Sequence, residues 1–167
     1  MRPLESALKE GISALGLDLD DAKAAQLLDY LALIGKWNKV YNLTAVRDPA
    51  EMLTHHLLDS LAVIAPLRRE LAKLPMPDAD AAQEQGATKL PKSKLSLLDV
   101  GAGAGLPGIV IAITCPEVSV TCVATVAKKA AFIQQVAATL KLPNLKGLHA
   151  RVESLTQPYD VVCSRAF

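Results

Sequence analysis

Leu97-Leu98-Asp99-Val100-Gly101-Ala102-Gly103-Ala104-Gly105-Leu106-Pro107-Gly108 is the stretch that decides the fold of this 167-residue chain. An apolar run ends in a carboxylate, and glycines then turn the backbone into a second apolar run. Glycines have no Cβ, so the chain can turn sharply there and come close to a ligand. Leu95–Val100 reads as a buried strand and Leu106–Thr114 as a helix. Val118–Val123 is β-branched and reads as a strand. Lys128–Leu140 reads as a helix, because Phe132, Val136 and Leu140 recur at helical spacing. Leu145–Ala150 and Tyr159–Cys163 are further strands. The order β-α-β-α-β…β predicts an α/β fold, a parallel sheet covered by helices.

Outward from this core, residues 1–73 read as a helical segment. Asp20 and Asp21 are N-cap candidates, and Ala24, Leu27, Leu28, Leu31 and Ile34 recur behind them at helical spacing. Asp48-Pro49-Ala50-Glu51 is a second start signal: Asp48 caps, Pro49 fits the first helical position and Glu51 stands at the third. Met52 to Ala65 is expected to be helical, with Leu53, Leu57, Leu61 and Ile64 on one face. Residues 74–94 carry Pro75, Pro77, Gly86 and Pro91 without apolar periodicity, which predicts a mobile surface loop with no part in the chemistry. Residues 95–167 form the sheet core, and the length suits a single domain.

Composition narrows the function. A hydrophobic fraction of 51% supports a packed core, and with aromatics at 4% aliphatic side chains must fill it. The net charge of +1 does not point to a strongly basic nucleic-acid binder and leaves room only for a local basic patch. Residues 1–60 hold 6 basic and 9 acidic side chains, and residues 99–167 hold 6 and 4, so a slight positive excess lies toward the C-terminal part. Cys115, Cys122 and Cys163 have no metal-type spacing and read as reduced thiols of a cytoplasmic protein. His55 and His56 lack further ligands at zinc spacing, so no metal is expected. No signal peptide is read at the N-terminus. Pro116-Glu117 interrupts the apolar run from Leu106 to Ala127, so no membrane span is expected.

Two cofactor classes compete for the glycine loop. Gly103-x-Gly105-x-x-Gly108 matches the dinucleotide fingerprint, but that fingerprint needs an acid near the end of the second strand, and Thr121-Cys122-Val123-Ala124 has none. The Asp99-x-Gly101-x-Gly103 form is more typical of nucleoside-type cofactors, above all S-adenosylmethionine. A plain strand–helix turn without ligand is the third reading.

Trp37-Asn38-Lys39-Val40-Tyr41-Asn42-Leu43-Thr44, Arg47-Asp48-Pro49, His56-Leu57-Leu58-Asp59-Ser60-Leu61, Asp99 to Gly108 and Ser164-Arg165-Ala166-Phe167 together resemble the bacterial GidB/RsmG family. The likeness spans nearly all of the chain outside 74–94. It implies a Rossmann-like methyltransferase fold that places a methyl from S-adenosyl-L-methionine on N7 of one guanine in 16S ribosomal RNA of the small subunit. It further implies that Gly101 and Leu106 line the cofactor, that Gly103 and Gly105 shape the loop, that Val152 and Glu153 lie beside the adenine, and that Arg165 faces the cofactor and substrate pocket. Guanine N7 carries a lone pair and no proton, so no catalytic base is expected and positioning does the work. His56, Asp59, Asn42 and Thr44 are expected to fix helix–loop packing near the cofactor. Lys128 and Lys129 are expected to stand free for RNA phosphate. The chain is expected to act as a monomer.

The chain departs from the family in two places. The family ends its second strand with an acid for the cofactor ribose, and here Ala124 stands there. The family also continues past the Ser164–Phe167 segment, so the C-terminal strands are expected to be missing and activity impaired, as in a fragment or a decayed gene product. A non-catalytic nucleotide- or RNA-binding module, or a dinucleotide-dependent oxidoreductase, are the alternative functions.

Overall fold

The computed structural model describes residues 2–45, 48–74, 95–101 and 103–164. Among these, helices α1 (Arg2–Ala14), α2 (Asp21–Tyr41) and α3 (Pro49–Met52) come first. A π-helical turn, Leu53–Leu58, leads into α4 (Asp59–Leu61), and α5 (Ile64–Ala72) follows. The core then runs β1 (Leu95–Val100), α6 (Gly108–Thr114), β2 (Val118–Ala124), α7 (Ala127–Thr139), β3 (Leu145–His149), a short 3-10 turn (Val152–Ser154) and β4 (Val161–Ser164).

The start signals hold. Asp20 accepts a hydrogen bond from the Lys23 N–H at 2.8 Å, and Asp48 accepts one from the Glu51 N–H at 3.1 Å with Pro49 in the first turn. The stretch Met52–Ala65 is helical, with a π-helical turn and one break before α5. Its apolar face survives, with Leu53, Leu57, Leu61 and Ile64 all buried. The break falls at Ala62 and Val63 because Pro66 has no N–H for the Ala62 carbonyl and its ring would strike it. The helix expected from Leu106 starts only at Gly108, since Gly103 (φ 59°) and Gly105 (φ 97°) hold the left-handed region that a right-handed helix excludes. The last strand begins at Val161 rather than Tyr159. Asp160 just before it is tied sideways to β1: the Ser96 N–H and Oγ–H donate to Asp160 Oδ2 at 2.7 and 3.1 Å, and the Asp160 N–H donates to Ser96 Oγ at 3.0 Å. The segment read as a loop falls, from Pro75 to Lys94, outside the described residues.

The four strands are all parallel in the order β3-β2-β1-β4. This is the strand order of one half of a doubly wound Rossmann sheet, and the expected α/β architecture is therefore present. The order of strand addition reverses between β1 and β4, which opens a crevice at the carboxyl ends of the strands. Helix α6, Gly-Ile-Val-Ile-Ala-Ile-Thr, is buried on every side. A helix apolar on every face but for its final Thr114 needs cover all round, and α6 has it from the sheet and from α2 and α4. One apolar cluster joins Leu8, Leu27, Ile34 and Leu57 of the helical segment to Leu97, Ile111, Val120 and Phe132 of the core.

Polar groups on α2 complete this packing. Lys23 Nζ donates to the Thr114 carbonyl at 3.5 Å, joined by Arg68 Nη2 at 3.0 Å, and Gln26 Nε2 donates to the Leu140 carbonyl at 3.1 Å. The ends of α6 and α7 thus receive donors for carbonyls that no longer have helical partners. Buried Asn144 does the same from below: its Nδ2 donates to the carbonyls of Ala112 and Val118 at 3.0 Å and lies 3.4 Å from that of Cys115. Removing this donor leaves several buried acceptors unsatisfied. Asn144→Ala is expected to lower the unfolding free energy by about 1–3 kcal/mol, read from urea melts. An unchanged midpoint would show that these carbonyls find other donors.

Candidate functional site

A cavity of about 380 Å³ opens at the carboxyl edge of the sheet. Val100 and Gly101 at the end of β1 and Val123 and Thr125 at the end of β2 form one side. Ala150, Arg151, Val152 and Glu153, just past β3, form the other. Its size falls within the roughly 300–1,000 Å³ of small-molecule sites. Three valines give apolar walls, Thr125 and Glu153 give acceptors, and Arg151 gives a cation. Gly101 (φ 69°) and Gly103 (φ 59°) need glycine for their backbone angles, and a Cβ on either would meet no atom within 4 Å. The loop therefore presents bare backbone to open space.

Of the residues expected at the site, Gly101, Val152 and Glu153 line this cavity together. Gly103 and Gly105 shape the loop beside it, both at positive φ. The Leu106 side chain is buried in the apolar core and is not among the residues lining this cavity. Arg165 lies outside the described residues. Ala124 ends β2 in register with His149 and is buried, while its neighbours Val123 and Thr125 face the cavity. Val100, Val123, Ala150 and Arg151 were not singled out from sequence. Their shared signal is position, at or just after the end of a parallel strand.

The end of α2 sits beside the start of α7. Trp37 packs against Tyr41 and Phe132, with ring centroids 5.1 and 6.0 Å apart, and Lys128 Nζ lies 5.9 Å above the Tyr41 ring. Lys128 is thus exposed but engaged with an aromatic face. Thr44 Oγ1 lies 2.9 Å from His56 Nε2, and the Thr44 N–H donates to Asn38 Oδ1 at 3.0 Å. With Asn42 as the left-handed cap of α2, this fastens the helix end to the π-helical turn. No group of three or more His, Cys, Asp or Glu able to hold a metal occurs among the described residues.

Under the glycine loop, fully buried Asp99 accepts from the Gly108 N–H at 2.8 Å. Strand register places Cys122 on one side of it and Cys163 on the other. A Cβ at Gly108 would collide with Cys122 Sγ and come within 2.7 Å of Asp99 Oδ2, so only glycine fits that helix start. Burial pushes the Asp99 carboxyl up to about 7, against opposing hydrogen bonds from Gly108 and Cys163. Burial and then the nearby Asp99 charge raise both thiols, Cys163 to about 12, so both stay protonated.

A carboxyl raised on folding binds more protons in the folded chain than in the unfolded one. Its contribution is fully favourable below about pH 4 and is lost as pH rises through about 7. Asp99→Asn keeps an oxygen for Gly108 without the ionisation. It is expected to gain stability relative to the parent between pH 4 and 7, by roughly 1–4 kcal/mol, and to level off above. A pH-independent difference in chemical melts would place the Asp99 titration outside this window.

The chain was compared with known proteins. The family model for rRNA small subunit methyltransferase G, GidB, matches residues 23–74 and 84–167. The ribosomal RNA small subunit methyltransferase G of Albidiferax ferrireducens is 68% identical over 169 aligned residues, covering 100% of this chain and 70% of the relative. The protein of that name from a Polaromonas species is 65% identical, over 100% of this chain and 67% of its own length. That from Methylibium petroleiphilum is 52% identical over 99% of this chain and 67% of its own. Identity at this level over the whole chain, on a parallel sheet with a glycine-lined cavity at its carboxyl edge, means that the chain belongs to the GidB family, rRNA small subunit methyltransferase G.

Proposed function

We propose that this chain methylates N7 of a guanine in the 16S RNA of the small ribosomal subunit, with S-adenosyl-L-methionine as donor, as a cytoplasmic monomer. Family membership carries the reaction type, and the cavity beside Gly101 carries the cofactor. The helices before Leu74 and the sheet from Leu95 on act as one folding unit, since a single apolar cluster runs through both. No described helix is long and apolar enough to cross a membrane.

The residues present fit the donor. Val100, Val123 and Val152 offer apolar walls for a purine, and Glu153 and Thr125 offer acceptors for amino and hydroxyl groups. Bare backbone at Gly101 and Gly103 lets a ligand approach closely. When bound, S-adenosylmethionine supplies an electrophilic methyl on a sulfonium. Guanine N7 brings its own lone pair, so this chain's residues need move no proton. Their work is to hold two reactants in line, which is worth about 7–11 kcal/mol of barrier when the geometry is right. Lys128 and Lys129 at the start of α7 stand at the same edge and favour an incoming phosphate backbone.

A methyl-transfer assay on small subunits lacking the modification tests this reading. Radiolabel from the donor is expected in 16S RNA as N7-methylguanine. Label at another atom would refute the assigned position. No transfer, with S-adenosylhomocysteine still bound, would favour a binding module, and binding of NAD in its place would favour the oxidoreductase.

Ala124 supports a weakened donor site as part of the same proposal. It stands where the family carries an acid, between two residues that line the cavity. Ala124→Asp is expected to tighten S-adenosylhomocysteine about tenfold, as one charge-assisted hydrogen bond of roughly 1.5 kcal/mol would. An analogue lacking both ribose hydroxyls is expected to gain nothing. Lower stability with unchanged affinity would mean that position 124 packs in the sheet and does not reach the ribose.

A further inference from the structure

Tyr30 belongs to the helical segment, far in sequence from the glycine loop, yet it is fully buried and its hydroxyl donates to the Ala104 carbonyl at 2.7 Å. Ala104 lies between Gly103 and Gly105, two residues at positive φ. Such backbone has the most conformations to lose, and beyond the Gly105 carbonyl, which accepts from the Ile109 N–H at 2.6 Å, it needs other groups to hold it. The loop is fixed at its ends by other means. The Gly101 N–H donates to the Val123 carbonyl at 3.2 Å, and the Gly108 N–H donates to Asp99. Between these anchors, the Tyr30 hydroxyl grips the loop's middle.

The carbonyl it holds is buried, so turning that peptide would leave an acceptor without water and without a donor. A trans peptide keeps its C=O and N–H antiparallel. Fixing the Ala104 carbonyl toward α2 therefore also fixes the Gly105 N–H in the opposite direction. Gly105 itself leaves no slack, since a Cβ there would collide with Ile109 and lie 3.5 Å from the Tyr30 hydroxyl. Tyr30 stands seven residues after Lys23 and four after Gln26, on the stripe of α2 that also reaches the ends of α6 and α7. One helix face thereby sets the loop against both core helices.

We propose that Tyr30 is a positioning residue for the cofactor loop, and that the N-terminal helices serve donor binding through its hydroxyl. This rests on the donor reading of the adjacent cavity. Tyr30→Phe removes the hydroxyl and keeps the ring. Two measurements on the full chain separate the claims. Amide exchange without ligand is expected to speed up at Gly108 and Ile109 by about three- to tenfold, as loss of one hydrogen bond would produce. S-adenosylhomocysteine affinity by calorimetry is expected to fall by a similar factor. Asn144→Ala, destabilised elsewhere, is expected to leave both unchanged at temperatures where it stays folded. Equal effects from Asn144→Ala would reduce Tyr30 to a general stabiliser and overturn the proposal. So would unchanged loop exchange in Tyr30→Phe, or a loosened loop with unchanged affinity. If the parent chain fails to bind S-adenosylhomocysteine while its loop still loosens in Tyr30→Phe, the donor reading fails, and the link from Tyr30 to the donor fails with it.

Discussion

Seven residues of glycine-rich backbone, Gly101 to Pro107, must be held in one conformation between the end of β1 and the start of α6. The clasp that closes this turn is the buried Asp99 carboxyl on the Gly108 N–H. It brings the start of α6 against the sheet so tightly that a side chain at Gly108 would strike Cys122. Left to itself, a loop with three glycines at positive φ would cost more conformational entropy than its few contacts return. Anchors from the sheet below and from α2 above supply the difference. The cavity beside Gly101 is then preformed, which spares a ligand the cost of ordering it.

The helical segment has a defined physical task in this arrangement. Lys23, Gln26 and Tyr30 form one polar stripe on a helix whose other buried residues are apolar except for Asn38 near its end. Each stripe residue donates to a main-chain carbonyl of the core, two at helix ends and one in the loop. Arg68 and Asn144 add donors to the same end of α6. Thr114 is the one polar side chain of this buried helix and its hydroxyl turns back to the Val110 carbonyl at 2.9 Å, so the donors for the last carbonyls come from its neighbours. The proposed methylation of guanine N7 suits such a site, because transfer to a lone pair asks for fixed geometry and no proton carrier.

Much of this was legible in the residues. Strand and helix periodicity between Leu95 and His149 carried the parallel sheet, and the glycine loop marked the edge where the cavity opens. The N-caps at Asp20 and Asp48 were readable because their chemistry is local. Other features depended on contacts distant in sequence. Tyr30 lies among the apolar residues of α2 and reads as core until its hydroxyl meets Ala104, 74 positions away. Asn144 looks like a turn residue until it is seen beneath α6. Leu106 lies in a family motif but turns inward, because no periodicity is defined within a turn. Pro66 carried the signal for the broken helix after Met52, and the apolar spacing of Leu53, Leu57, Leu61 and Ile64 masked it.

Backbone amide shifts on adding S-adenosylhomocysteine test the central claim most directly. Gly101, Val123, Thr125, Val152 and Glu153 are expected to move together and saturate at one affinity, while amides of α1 and α5 stay in place. Saturable shifts at another face of the molecule, or shifts at the cavity with NAD and none with S-adenosylhomocysteine, would contradict it.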